Sequence, residues 1–336
     1  MWRPATAVAT DTLPATEVPP QIGARAQGLA AAASGAGRSF RGPASAGRRR
    51  VIALAGALGL SAAGCAYRSI PGWRYQPPMF SLSRPDAPGR ITLLGSVHAG
   101  LTRFYPLPDP VEAAFDGAAR LLVELDARAQ AGAIRSATAA AALLPNGGTI
   151  DQVLRAPTMA ALTRAFQADP WALQRLMRLQ PWAIALLLPN ADDANMLVDG
   201  GDGIETHLIG RSRRRGLPVI ELESPAAQIA AFAGGSPEEQ DAMLALRLAQ
   251  RSGWDRTYSE IVDAWRSGDM AALAALKDRA FPASAAMTGL RRRLFTDRDQ
   301  AMAIRLHDEL DTPAPGLAVI GVLHLAGPDA RPLARP

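Results

Sequence analysis

The chain has 336 residues, of which 48% are hydrophobic and 20% charged, and its formal net charge is +5. The excess positive charge lies in residues 1–64, where seven arginines stand against Asp11 and Glu17, so the rest of the chain is neutral overall. A neutral body has no broad cationic surface for phosphate backbones, which excludes nucleic acid as the expected partner.

The first 64 residues have the composition of a targeting segment. Residues 1–47 are rich in Ala, Gly, Pro and Ser, which predicts a disordered extension or a start placed too far upstream. Residues 48–64 run from three arginines through an apolar stretch to a small-residue site before Cys65, the chain's single cysteine. This layout resembles a bacterial lipoprotein signal, and it implies a lipid on Cys65 and a cell-envelope protein facing the periplasm. The alternative is a buried free cysteine behind a short anchor, although the apolar stretch is shorter than the ~20 residues that span a bilayer.

The same short pattern occurs near both ends of the remaining chain. Residues 65–89 contain five prolines and predict an extended linker, so the folded domain is expected at 90–336. Ile91 begins an apolar run that closes with Gly-x-x-His at His98, and Leu317 begins another that closes with Gly-x-x-His at His324. Runs of this length and branching are typical of buried strands, so each histidine is expected at a strand end.

Two further apolar runs between these motifs end in acids. The first, from Arg120, ends at Glu124, and the second, from Val219, ends at Glu223. Helical segments separate all four runs, with four or five short helices expected over residues 128–198. The pattern predicts an α/β fold with a central, mostly parallel sheet and large helical insertions. Because parallel strands share one carboxyl edge, the two histidines and two glutamates are expected to converge there.

Two imidazoles and two carboxylates at one edge are suited to holding a divalent metal, with one carboxylate left to activate water. The alternative is that each residue is structural, since a single histidine after a strand is more often a satisfied structural group. The repeated motif favours a shared site. Residues 291–298 carry four arginines, one of which could enter the pocket to hold a carboxylate or oxyanion. His207, expected at a helix start, is interpreted equally as a surface residue or as a ligand.

Together these motifs resemble the TraB/PrgY/GumN family over about residues 90–328. The resemblance rests on Leu-Leu-Gly-Ser-Val-His, Leu-Val-Glu-Leu-Asp, Gly-Ile-Glu-Thr-His-Leu, Pro-Val-Ile-Glu-Leu-Glu-Ser, Arg298-Asp299 and Gly-Val-Leu-His-Leu-Ala-Gly. That family is related to the Tiki proteases and more distantly to the erythromycin esterase and haem-binding ChaN group. The resemblance implies a metal-dependent hydrolase, and specifically a peptidase, with His98, Glu124 and His324 as the hallmark residues and Glu223 and Arg298 as supporting matches.

The expected metal is zinc, manganese or cobalt, held by His98, His324 and Glu124, with Glu124 or Glu223 polarising the attacking water. The expected partner is a peptide or small-molecule substrate. The alternative is a lipoprotein that binds a ligand, metal or haem, or sequesters a peptide, without turnover. The chain departs from the family pattern at Glu205 and Asp299, where the family usually has Asp and Asn. The family also tends to continue beyond the second histidine motif, so we expect that the end at Pro336 is clipped.

Overall fold

A five-stranded sheet forms the centre of the computed structural model, which describes residues 76–100, 105–188, 201–330 and 333. In chain order the strands are β1 (Met79–Leu82), β2 (Ile91–Ser96), β3 (Ala99–Gly100), β4 (Arg120–Val123), β5 (Gly201–Asp202), β6 (Val219–Glu221) and β7 (Gly316–Gly321). The main sheet has the order β1-β2-β7-β4-β6, and only β1 runs antiparallel to its neighbour. The α/β fold with a mostly parallel sheet is therefore confirmed.

The strand β1 lies inside the segment that the sequence predicts as a linker. Met79 pairs with Leu94 and Leu82 with Ile91, so β1 forms a four-residue antiparallel edge to the sheet. The folded unit thus begins before residue 90, and the predicted linker at 65–89 is corrected accordingly. Prolines on both sides of β1 limit the strand to a short edge, which is where a brief strand is tolerated.

Helices connect the parallel strands, as the alternating pattern predicts. In chain order they are α1 (Asp109–Gly117), α2 (Ala131–Ala142), α3 (Ala156–Ala165), α4 (Pro170–Leu176), α5 (Pro181–Leu187), α6 (Ile204–Arg215), α7 (Pro225–Ala233), α8 (Pro237–Ala249), α9 (Trp254–Ser267), α10 (Met270–Ala280), α11 (Thr288–Arg291) and α12 (Arg298–Glu309). A π-helical turn at Arg292–Asp297 leads into α12, and a 3-10 turn at Val322–His324 follows β7. α4 and α5 each have a proline in the first turn, Pro170 and Pro181, where its missing N–H costs the helix no hydrogen bond.

Alternate residues of the central strands pack into two separate cores. Leu121 and Val123 of β4 join a core with α1, α6, α9 and α10, whereas Leu122 points to the opposite core with α12. The period of two is that of a strand buried on both faces. A third core holds the helical insertion together around the fully buried Trp182 and draws on α2, α3, α5, α7, α8 and α11.

The described part of the chain contains no helix that is both long and apolar enough to cross a membrane. Cys65 and the signal predicted at 48–64 lie outside the described residues.

Candidate functional site

The two Gly-x-x-His strands are hydrogen-bonded neighbours in the sheet. β2 and β7 are parallel, with Leu94 opposite Val319 and Ser96 opposite Gly321. Both strands therefore deliver their histidines to the same carboxyl edge, although the histidines lie more than 200 positions apart in sequence. β4 pairs with the other side of β7, so Glu124 leaves the sheet at the same edge.

Glu124 lies at the centre of this group. One carboxylate oxygen accepts a hydrogen bond from the backbone N–H of Gly321 at 2.5 Å, and the other accepts one from Arg298 at 2.8 Å. The side chain is buried. Burial alone would raise its pKa, but the charges of His324, His98 and Arg298 and the Gly321 hydrogen bond outweigh that effect and hold the pKa at about 2. Glu124 is therefore an anion at neutral pH.

His98 presents one ring nitrogen to a carboxylate and the other to the site. Its Nδ1 lies 3.3 Å from Oε2 of Glu205, and 62% of its side chain is exposed. A methyl group placed on Gly321 would come within 2.7 Å of His98 Nε2 and 3.0 Å of Glu124 Oε1, so these two atoms face the same small space. The protein atoms packed around the rest of the ring disfavour its charged form and lower the His98 pKa, but the hydrogen bond to Glu205 and the charges of Glu124 and Glu205 outweigh this effect and raise the pKa to about 9.

His324 has a matching arrangement on the 3-10 turn after β7. Its Nδ1 lies 2.5 Å from Oδ1 of Asp299, and its Nε2 lies 4.0 Å from Oε2 of Glu124. The ring is buried and packs at 5.4 Å, centroid to centroid, from Phe295. Asp299 is completely buried, which raises its pKa, and its second oxygen has no hydrogen-bond partner among the described residues.

Two glycines permit the close approach that this arrangement requires. Gly321 leaves room for the His98 ring, as the contacts above show. A methyl group on Gly203 would come within 2.1 Å of the His98 carbonyl oxygen, so only glycine fits there without moving the backbone. Gly203 precedes α6, and the backbone N–H of Ile204 donates to the carbonyl of Val97 at 3.3 Å. Helix α6 is thus fixed against the first motif, with Glu205 in its first turn beside His98.

Arg298 joins the two glutamates into one charged cluster. Its Nε donates to Glu223 Oε1 at 2.8 Å, and its Nη2 donates to Glu223 Oε2 at 3.0 Å and to Glu124 Oε2 at 2.8 Å. Burial lowers the Arg298 pKa, but the two carboxylates outweigh burial and raise it. The guanidinium therefore stays charged and fixes the orientation of both acids.

The five predicted site residues that the structure describes lie together. His98, Glu124 and His324 face one another, and Arg298 ties Glu124 to Glu223. His207 lies apart from them, stacked on Tyr105 at 3.9 Å between ring centroids. The predicted lipidation site, Cys65, lies outside the described residues and stays a prediction.

Sequence reasoning missed the roles of Glu205 and Asp299. Each places a carboxylate against Nδ1 of a motif histidine, which leaves Nε2 facing Glu124. Carboxylates in this position are typical of metal-binding histidines, whose orientation and basicity they set. The sequence feature that could have pointed to these roles is that both positions depart from the family pattern. Glu205 is longer than the usual Asp, and Asp299 carries a charge that the usual Asn lacks.

The residue types and ring orientations fit a divalent transition metal. The donors are two imidazole nitrogens and an ionised carboxylate, and a buried carboxylate holds the other nitrogen of each ring. Over the ranges that the structure describes, no three His, Cys, Asp or Glu side chains are close enough to form a ready metal cluster. Glu124 directs its two oxygens to Gly321 and Arg298, and the remaining lone pair of each oxygen is the one with which it would bind a metal.

The low pKa of Glu124 makes the stability of the fold sensitive to acid. Its pKa is 4.5 without the folded surroundings and about 2 within them, so its contribution is complete above pH 4.5 and is lost as the pH falls toward 2. The full contribution is about 3 kcal/mol. Urea unfolding of the parent protein and Glu124→Gln should show a stability difference that shrinks by about 2 kcal/mol between pH 6 and pH 3. A difference independent of pH would contradict this assignment.

The fold and the site define an α/β protein whose carboxyl sheet edge carries two neighbouring Gly-x-x-His strands and a glutamate from a third. Residues 78–332 match the TraB/PrgY/gumN family, and the chain belongs to that family. The comparison with curated proteins and the comparison with solved structures each found no match.

Proposed function

We propose that this protein is a divalent-metal-dependent hydrolase that cleaves peptide bonds, with His98, His324 and Glu124 as metal ligands. The observation that carries the proposal is that adjacent parallel strands direct two imidazole Nε2 atoms toward one ionised carboxylate. Carboxylates on both Nδ1 atoms support it, because a purely structural histidine has no need for this shared orientation.

The metal would supply a hydroxide at neutral pH, because coordination lowers the pKa of water from 15.7 to about 7. Two imidazole donors favour zinc, manganese or cobalt over calcium. The His98 ring must lose its proton before Nε2 can bind a metal, and its pKa of about 9 makes metal uptake more favourable as the pH rises toward that value.

The acidic residues around the two histidines differ in their proposed roles. Glu124 is the carboxylate that faces both imidazoles, so we assign it the contact with the metal and with the attacking water. Both oxygens of Glu223 are engaged by Arg298, and its side chain is only 3% exposed, which favours a positioning role over a role as a free base. Glu205 and Asp299 fix the two rings, and burial raises the pKa of each of these acids.

We also propose that the protein works in the cell envelope, tethered by a lipid on Cys65. The support is the sequence at residues 48–65 alone. Mass spectrometry of the mature protein purified from membranes would test this proposal, because cleavage before Cys65 and an added lipid predict a specific N-terminal mass. An unmodified cysteine in the mature chain would contradict it.

Digestion of a peptide library by the full-length protein tests the hydrolase proposal. The protein is incubated at pH 8.5 with zinc, manganese or cobalt, with and without excess chelator, and the products are read by mass spectrometry. Cleavage that requires metal and stops with chelator is the expected result. Inertness with every metal would favour the binding alternative, and a haem absorption band in the purified protein would identify that ligand.

Asp299 is expected to control metal affinity through the orientation of His324. Asp299→Ala removes the Nδ1 partner at 2.5 Å and should weaken zinc binding by about 10- to 100-fold. Asp299→Asn keeps an oxygen that can accept a hydrogen bond from His324 Nδ1, so its zinc affinity should fall much less. Isothermal titration with zinc gives both affinities, and equal losses in the two variants would assign the effect to the charge of Asp299 and not to ring orientation.

A further inference from the structure

A cleft opens directly beside the glutamate–arginine cluster. It has a volume of about 550 Å³, which lies within the range of natural ligand pockets, about 300–1,000 Å³. Glu223 and Arg298 form part of its lining, so the cleft begins one side chain away from Glu124. A substrate held at the histidines could therefore extend into it.

Four alanines in the lining leave space for a ligand. Ala227, Ala230 and Ala231 of α7 line the cleft, and Ala301 of α12 lines it as well. Alanine faces accept a peptide with small side chains, because each contributes only a methyl group and leaves the peptide backbone room to approach. Large side chains on the ligand would have to point out to solvent.

Among the charged side chains that line the cleft, Arg305 is the one without an acidic partner in the described ranges. Arg298 is paired with Glu223, Arg293 with Glu239, and Asp297 with Arg292. Glu221 accepts hydrogen bonds from Asp126 N and Gln130. Arg305 has only a hydrogen bond of 3.4 Å to the carbonyl of Glu221, and no carboxylate in the described ranges forms an ion pair with it.

The position of Arg305 sets its distance from the reacting centre. Arg298, Ala301 and Arg305 occupy one face of α12 at intervals of three and four residues and all line the cleft. Seven residues of helix advance about 10 Å, which is the length of about three residues of extended peptide. A group bound at Arg305 is therefore about three residues of extended peptide from Arg298, which contacts Glu124.

From these contacts we infer that the cleft binds the carboxylate-bearing end of a peptide substrate, with small side chains against the alanines and the carboxylate on Arg305. The carboxylate is either the peptide's C-terminus or an acidic side chain that lies beyond Arg298 from the cleaved bond. This inference rests on the proposed peptidase function for its substrate, but the binding itself can be measured without turnover.

The test uses fluorescein-labelled hexapeptides of alanine and serine and the full-length protein. Three probes are compared by anisotropy: a free C-terminal carboxylate, a C-terminal amide, and an amide with one internal Asp in place of Ser. The parent protein should bind at least one carboxylate probe about tenfold more tightly than the plain amide. The probe that gains affinity identifies whether the C-terminus or an acidic side chain is recognised.

Variants of the protein distinguish recognition of the carboxylate by Arg305 from a non-specific effect of removing a surface charge or of narrowing the cleft. Arg305→Gln should reduce the preference for carboxylate to less than about twofold, whereas Arg305→Lys should keep part of it, because lysine retains the charge but loses the guanidinium fork. Arg175→Gln is the control, because Arg175 is exposed on α4 and does not line the cleft. Ala230→Leu, which fills the cleft without removing charge, should weaken every probe.

The outcomes distinguish this inference from the proposed function. Peptide cleavage with no preference for carboxylate, or a preference that survives Arg305→Gln, would overturn the inference and leave the peptidase proposal standing. A preference that depends on Arg305, in a protein that hydrolyses no peptide with any metal, would support the cleft and overturn the peptidase. Equal binding of all probes by Ala230→Leu and the parent protein would also overturn the inference.

Discussion

Under the proposed hydrolase function, replacing His324 with alanine is expected to lower kcat/KM for peptide cleavage by about 1,000-fold, because loss of a proposed metal ligand removes several kcal/mol of transition-state stabilisation. His324 is buried, and its Nε2 lies 4.0 Å from Oε2 of Glu124. Zinc affinity, measured by titration, should fall in the same variant. His98→Ala should behave in the same way.

The chain supplies its own controls for this experiment. His207 stacks on Tyr105 away from the site, and His307 is an exposed residue near the end of α12. His207→Ala and His307→Ala should retain zinc affinity and activity within about twofold, since the half-buried His207 ring stacks on Tyr105 and the exposed His307 ring contacts Arg84, and neither residue is a proposed ligand. Full zinc affinity in His324→Ala would remove that residue from the metal site and end the proposal that the two motifs share an ion.

Replacing Arg298 with methionine is expected to destabilise the protein by about 3–5 kcal/mol, because it leaves Glu124 and Glu223 buried without their shared cation. Urea unfolding of the metal-free protein measures the loss. Arg298→Lys should lose less stability, since the charge remains while the bidentate contact with Glu223 does not.

The matched control for Arg298 is Arg292, six residues earlier and paired with Asp297 on the surface. Exposed pairs contribute about 0–1 kcal/mol, so Arg292→Met should change the free energy of unfolding by less than about 1 kcal/mol. Similar losses in the two variants would show that the cluster around Arg298 is not a buried network that stabilises the fold.

The sequence predicts where the site lies, but it does not predict which side chains contact one another within the site. Apolar runs, each followed by a histidine or a glutamate, predict strands with functional ends, and the rule that parallel strands share a carboxyl edge brings His98, Glu124 and His324 together. The structure agrees because the sheet order depends on buried apolar strands, whose pattern is visible in the sequence.

The contacts of Glu205 and Asp299 could not be predicted in this way. Both lie on helices, and which ring nitrogen each faces depends on how α6 and α12 are rotated against the sheet. That rotation is set by packing between distant residues, such as Met302 and Leu306 of α12 against the core below the sheet. The same limit applies to Glu223, for which the sequence left a role in activating water open, whereas the structure shows both of its oxygens on Arg298.

The strand β1 shows a different limit. Its four residues lie between prolines, a composition that favours an extended spacer, and only its pairing with β2 makes it a strand. Short edge strands carry little signal of their own, because one neighbour supplies their hydrogen bonds and part of their burial.

The middle position of β7 has a consequence for when the proposed metal site can form. This strand is hydrogen-bonded on both sides to strands encoded about 200 residues earlier, and it is followed by one of the two motif histidines. A nascent or truncated polypeptide lacking its last segment would have a gap in the middle of the sheet and only one of the two histidines. Assembly of the histidine pair is thus coupled to completion of synthesis, and the high sequence separation of these strand pairings favours slow folding.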